Sequence, residues 1–264
     1  MNQSIIKNRA TKLFVILAGF FIANALLAEF IGVKIFSLED TFGLDRAAIP
    51  IWGGTFSFHL TAGVLLWPVV FIMTDIINEY YGPKGVRFLS FLAAGLILFA
   101  FVVVLGAIHL VPSEFFSLGS GVSDANAAFR GVFGQGLWII IGSLVAFLIG
   151  QLLDVAVFHR IKKATGEKRI WLRATGSTLV SQLIDSFVVL FIAFYLGPML
   201  KGDASKQWTA HQVSVTATGN YIYKFVVAVL LTPVIYGVHA LIDRYLGAQL
   251  STEMKAGAMS KNLE

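Results

Sequence analysis

An all-α, polytopic membrane protein of six transmembrane helices is the architecture this sequence predicts, and three observations carry the prediction. Of its 264 residues 57% are hydrophobic and only 13% charged, where a soluble domain typically has about 25% charged residues. The apolar residues form runs of 18 or more, enough to cross roughly 30 Å of hydrocarbon at about 1.5 Å per residue. The basic residues cluster in short segments beside those runs, as orientation signals do. Strands of a membrane barrel would be about 10 residues long and alternate in polarity, a pattern these runs lack.

The spans fall near residues 13–35, 59–79, 88–111, 135–158, 174–196 and 220–242, within a single transmembrane domain covering 1–264. The first run is too long for a signal-peptide core and lacks a cleavage site, so it reads as a retained helix. Fourteen Lys and Arg lie in the N-terminus, the 79–87 turn, the 159–173 loop and the C-terminus, against five on the other side. That excess places both termini in the cytoplasm. The outer loops 36–58 and 112–134 contain IPIWGGTFSF and FFSLGSG, segments suited to dipping into the interface. Residues 246–264 read as a polar, disordered tail.

Several classes drop out. The net charge of +5 is accounted for by the loops, so no nucleic-acid partner is implied. Zero cysteines exclude disulfides and thiolate metal sites, and the five histidines show no ligand spacing; the chain calls for neither metal nor cofactor. G-x-x-x-x-G-K-[ST], H-E-x-x-H and G-x-S-x-G are all missing, which argues against an ATPase and against common hydrolases.

The informative residues are the polar ones inside the spans, where a charge costs roughly 2.5–3.5 kcal/mol on insertion scales. MTDIINEYYG ends the second span with Asp75, Asn78 and Glu79 on one helical face. The fourth and fifth spans carry near-copies of one phrase, QLLDV and QLIDS, each placing a Gln (Gln151, Gln182) three residues before an Asp (Asp154, Asp185) and so on the same face. Gly142, Ala146, Gly150 and Asp154 recur every four residues, a small-residue seam that turns Asp154 toward protein. Plainer readings stand beside these. Asp75 and Glu79 would serve as an interfacial cap paired with Lys84 or Arg87, and Asp154 would pair with Arg160 or Lys162. Glu29 and Lys224, at similar depth on the outer side, would form a structural ion pair or a gate. Asp185 has no cation within reach on its own helix. Pro68 and Pro233 fall near the middles of the second and sixth spans, where kinks would free carbonyls to line a cavity. A three-plus-three inverted repeat would pair spans 1 with 4 and 2 with 5; all four carry acids, but the prolines do not match.

Amides, carboxylates and hydroxyls on several helices, among Trp52, Trp67, Phe71, Tyr80, Tyr81 and Phe158, suit a flat ligand rich in N–H groups. TDIINEYYG followed by Arg87, then QLLDVAVFHRIK and WLRATGSTLVSQLIDS, resembles the queuosine precursor transporter family, a vitamin-uptake-transporter-like group. The resemblance covers about residues 13–245, with Pro83 in YGPKG as a departure. It implies a multi-pass bacterial inner-membrane protein importing the 7-deazaguanines preQ0 and preQ1 by alternating access. It implies a substrate-binding role for Asp75, Asn78, Glu79, Gln151, Asp154, Gln182 and Asp185, with Asp154 and Asp185 reading the base edge. A homodimer is compatible with it. Three rivals remain at this level: the binding subunit of a multi-component uptake system, a two-aspartate membrane protease, and a purely structural membrane protein.

Overall fold

A computed structural model describes residues 8–119, 121–134, 136–166 and 169–260. Lys7, Lys168 and Lys261 of the charge count, and Ser120 of the second outer loop, lie outside the described residues. The chain is helical throughout its apolar runs. Helix α1 (Arg9–Ile31) starts where the Asn8 side chain accepts the N–H groups of Ala10 and Thr11.

The next long helix, α3 (Trp67–His109, 43 residues), is in fact two legs. A straight helix of that length would reach about 65 Å, twice the hydrocarbon thickness. At Gly82 the backbone turns through φ 73°, ψ −176°, a region open in practice to glycine alone. The legs 67–81 and 83–109 therefore return to the same face. Gly63, just before the first leg, approaches Ala28, and Phe101 on the second leg packs on Phe30 two residues further along α1. With α5 (Leu137–Thr165), α6 (Ile170–Leu190) and α8 (Ala210–Leu246) the chain makes six crossings. Both ends of the bundle thus lie on one face, where Arg9 donates to the Tyr245 carbonyl at 3.2 Å. We call this the terminal face and its opposite the loop face.

The prolines are placed differently from expectation. Pro68 belongs to the first turn of α3, not its middle, where a missing N–H costs nothing. Pro83 opens the second leg directly after the reversal, and only Pro233 stands within a helix. The tail also departs from the expected disorder. Residues Ala248–Ser260 form helix α9, which packs back onto the bundle. Leu250 and Met254 join the core, and the buried Ala258 lies against Gly82. Apolar side chains every three or four residues, hidden among the polar ones of STEMKAGAMS, account for the docking.

The loop face is built from small pieces. Strand β1 (Ile35–Ser37), helix α2 (Leu38–Phe42), and strands β2 (Ile49–Ile51), β3 (Gly54–Phe56) and β4 (His59–Thr61) form two antiparallel two-stranded sheets, β1 with β4 and β2 with β3. Buried Glu39 organises them, accepting from the Phe58 N–H at 2.9 Å and the Ala47 N–H at 3.3 Å. Segment IPIWGGTFSF, expected at the interface, is mostly the β2–β3 hairpin. The hairpin rests on the first turns of α8, with the Phe56 ring so close over Gly219 that a side chain there would overlap it. Trp52 donates to Thr218 at 3.0 Å. A further helix, α4 (Ala125–Phe133), follows in the second outer loop.

The core gathers Leu13, Leu17 and Phe21 of α1 with Ile76, Tyr80 and Leu89 of α3, Phe147 and Phe158 of α5, and Ile235 and Ile242 of α8. Phe20, Phe99, Val102 and Leu230 face outward and are exposed, as lipid-facing residues must be. Beyond Leu190, α6 continues through a six-residue π-helical stretch, Phe191–Leu196, into the short α7 (Gly197–Lys201).

Candidate functional site

The small-residue seam of α5 delivers what its spacing promised. Gly142, Ala146, Gly150 and Asp154 are all buried. Gly142 meets the Val189 carbonyl of α6, and Gly150 meets the Asp185 side chain. This close approach brings QLLDV and QLIDS face to face across one narrow cavity. Its walls are Gln151, Asp154, Ser181, Gln182 and Asp185 with Thr74, and the apolar surface comes from Trp67, Phe71 and Phe147. Trp67 and Phe71 stack with ring centroids 5.9 Å apart.

Beside it lies a second narrow cavity, lined by Asp75, Thr175, Thr178 and the apolar residues Phe71, Ile72, Ala228, Leu231 and Ile235. Phe71 is common to both. Together they form a polar-and-aromatic interior enclosed by the first leg of α3, by α5, α6 and α8.

The acids in this interior have very different company. Asp154 accepts from Ser177 Oγ at 2.8 Å and from Asn78 Nδ2 at 3.3 Å. Its expected cation, Lys162, is 3.1 Å from Glu79 instead. Glu79 also receives Arg173 through Nη2 at 2.8 Å and Nε at 3.0 Å, forming a fully buried triad. The pairing of Glu79 with Lys84 or Arg87 is thus replaced by cations from α5 and α6, because both Glu79 oxygens point into the bundle.

Asp185 does have a cation, supplied across the interface by α8: Lys224 Nζ is 2.6 Å from Asp185 Oδ2. Lys224 was expected opposite Glu29; its described salt bridge is to Asp185, and Glu29 accepts from Ser143 Oγ of α5 at 2.8 Å. Asp75 differs from all of these. It is 1% exposed, and neither carboxyl oxygen has a hydrogen-bond partner among the described residues. Gln182 Oε1 is likewise buried without a donor, while Gln151 Oε1 lies 3.3 Å from the Thr74 hydroxyl.

Seven residues singled out in the sequence therefore divide. Gln151, Asp154, Gln182 and Asp185 line the first cavity and Asp75 the second. Asn78 braces Asp154 from behind, and Glu79 belongs to the ion triad. Sequence reasoning missed Ser177 and Arg173 as partners, and gave Lys162 and Lys224 to other acids than Glu79 and Asp185. Arg173 and Lys162 lie in a stretch whose charges had been assigned to the cytoplasmic loop, and only tertiary packing shows them inside.

Comparison with known proteins decides the family. The model of the family described as "Putative vitamin uptake transporter" matches residues 61–238. Over 188 residues the chain is 31% identical to a probable queuosine precursor transporter of Bacillus subtilis, covering 71% of this chain and 75% of that protein. The queuosine precursor transporter of Escherichia coli is 30% identical over 181 residues, 69% of this chain and 73% of its own length. The chain belongs to the queuosine precursor transporter family. A third member, the probable queuosine precursor transporter of Haemophilus influenzae, is 30% identical over 183 residues, 69% of each chain. No solved structure matches the chain. Family membership and the apolar helices make it a multi-pass protein of the bacterial inner membrane, a transporter rather than an enzyme. The matched region contains both cavities and the Glu79 triad, and stops before α9.

Proposed function

We propose that this transporter imports the 7-deazaguanine precursors of queuosine, preQ0 and preQ1, by alternating access through the paired cavities, with the terminal face in the cytoplasm. The observation that carries the reading is a group of buried carboxyl and amide oxygens without donors among the described residues: both oxygens of Asp75, Gln182 Oε1 and Asn78 Oδ1. Such acceptors cost roughly 1–3 kcal/mol each when left unmatched, and more for a charged group. A ligand rich in N–H groups removes that cost. A 7-deazaguanine presents its ring N1–H and C2 amino group side by side, and one carboxylate can accept both.

Asp154, held in orientation by Ser177 and Asn78, and Asp75 beyond Phe71 read this edge. Gln151 and Gln182 supply amide donors for the ring carbonyl, and Trp67 and Phe71 offer faces for stacking. The β2–β3 hairpin closes the loop face. Glu79, Arg173, Lys162 and the docked α9 close the terminal face. Transport requires each closure to open in turn.

Thermal-shift titration of the purified protein with preQ0 and preQ1, with guanine to gauge the C7 substituent, tests the reading. Ligand at 100 times its Kd stabilises by about 2.7 kcal/mol. Saturable stabilisation by a precursor, lost in Asp154→Asn and Asp75→Asn, is the expected result. A folded protein indifferent to both precursors sinks it.

A further inference from the structure

We infer that α9 is the bolt of the terminal-face gate. Through Ser251 and Lys255 it grips Asp243, keeps the seam between the first leg of α3 and α8 shut, and by letting go sets how often the interior opens on that side. The inference rests on the alternating access proposed above and on no particular substrate.

A route from the cavities to the terminal face runs along this seam. The second cavity is already walled by both helices, with Ile72 and Asp75 from α3 and Ala228, Leu231 and Ile235 from α8. Beyond Ile235, His239 and Asp243 follow at four-residue intervals and continue the same face of α8 toward its end. Opposite them on α3, Tyr80 stands about one and a half turns beyond Asp75. The Tyr80 and His239 rings stack across the seam with centroids 5.6 Å apart, and the two residues are 2% and 3% exposed. They plug the route with two flat rings. Past them along the chain come Asp243 and then α9.

Asp243 is where α3, α8 and α9 meet. It accepts from the Tyr80 hydroxyl at 2.7 Å, from the Ser251 hydroxyl, and from the Lys255 ammonium at 2.9 Å. Lys255 also lies over the Tyr80 ring, 5.1 Å from its centroid. A ring that must swing aside for passage is therefore held at its hydroxyl through Asp243 and at its face by α9.

The grip is of a kind that lets go. The Glu79 triad has side chains 0–1% exposed. The Asp243 side chain is 40% exposed and that of Lys255 17%, so water competes for the pair and it holds weakly. The apolar hold is slight as well, since Leu250 and Met254 are only partly buried and Ala258 is small. Gly247 joins α9 to α8 at φ 86°, with no atom near the place where a side chain would stand, which leaves that joint free to turn. A weak, wet contact on a free joint suits a closure that opens in every transport cycle. A permanent brace would be buried, as the triad is.

The chain has no cysteine, so one introduced thiol reports alone. Thr178→Cys puts it in the wall of the second cavity, where a small, membrane-impermeant methanethiosulfonate reaches it only when a gate opens. Sealed vesicles of both orientations present the reagent to one face at a time. Added to this reporter, Ser251→Ala/Lys255→Ala is expected to speed labelling from the terminal face by about three- to tenfold, the size of one partly exposed ion pair and one hydroxyl hydrogen bond lost. Labelling from the loop face should be no faster. Lys255→Arg keeps the pair and is expected to keep the reporter's rate. A separate Ala93→Cys, buried in the core on the second leg of α3, should stay unlabelled with and without the double change, which separates gate opening from general loosening. An unchanged rate in the double variant, an equal rise from both faces, or labelling of Ala93→Cys overturns the inference and leaves α9 a structural cap. No ligand enters the measurement, so a protein indifferent to preQ0 and preQ1 sinks the substrate reading and leaves this result standing.

Discussion

Asp75 and Glu79 stand one helical turn apart on the first leg of α3, each 1% exposed, and their surroundings are opposite. Glu79 meets a bidentate guanidinium and an ammonium, and each of its oxygens is taken. Asp75 meets a cavity and no donor among the described residues. Equal burial therefore says nothing of role; the partners do. A saturated acid anchors three helices to one another, since removing a member of a buried pair costs more than the pair itself gains. An unsaturated acid keeps its lone pairs for something that arrives and leaves. Asp185 is intermediate, satisfied by one cation at the cavity wall.

The sharpest way to break the comparison is at its saturated end. Arg173→Met leaves Glu79 with Lys162 alone and is expected to cost about 3–5 kcal/mol, read as a large fall in Tm in detergent. A Tm within experimental scatter of wild type would mean the triad anchors nothing. Next comes the unsaturated end. Asp75→Asn alters a buried carboxyl that has no partner among the described residues, so stability should hold or rise, whereas ligand affinity should fall by the equivalent of about 1–3 kcal/mol. Loss of Tm without loss of affinity would move Asp75 into the structural class beside Glu79.

The difference between these two residues was beyond the sequence, for a definite reason. Six crossings follow from apolar runs and charge placement, which are local properties. That Asp154 faces protein was legible as well, since a four-residue seam fixes which side of a helix meets a neighbour; that the neighbour is QLIDS was not. Partners are not local. Arg173 lies 94 positions from Glu79 and Lys224 lies 39 from Asp185, so nothing in spacing links them. Distance also explains the errors: Asp75, Glu79 and Asp154 were matched to the nearest cations along the chain, Lys84, Arg87, Arg160 or Lys162, and of the three only Glu79 forms a described salt bridge, to cations from other helices. Of those four nearest cations only Lys162 joins the interior network, and on a different acid. The α9 helix was missed because its polar composition outweighs a thin apolar stripe.

The reversal at Gly82 determines which way this leg runs, and so where both acids point. Gly82→Ala puts a side chain at φ 73° with the Ala258 carbonyl 3.1 Å from its Cβ. A cost of about 1–2 kcal/mol is expected, with α9 loosened first. Hydrogen exchange should show amides of 248–260 losing protection before those of α5 and α6. Protection lost evenly across the bundle would mean α9 and the turn are not coupled.

The smallest expected effect sharpens the comparison with a third way to hold a buried acid. Glu39 is satisfied by neutral donors: the N–H groups of Phe58 and Ala47 and the Ser37 hydroxyl, 3.4 Å away. Burial pushes its carboxyl up, but those hydrogen bonds, led by Phe58, outweigh it and hold the pKa below the ordinary value of 4.5. A lowered folded-state pKa means the loop gains stability above 4.5 and loses it as pH falls through the lower folded value. Amides of residues 38–58 should therefore exchange faster on acidification below that range, while Glu39→Gln, unable to ionise, should show a flat profile from a weaker starting point. An identical acid response in the variant would place the sensitivity elsewhere and leave Glu39 an ordinary buried acceptor. A flat variant would show that neutral donors suffice for a carboxylate on the loop face. The deeper interior then stands apart: there Glu79 and Asp185 are each paired with cations, and Asp75 alone of these acids is left open.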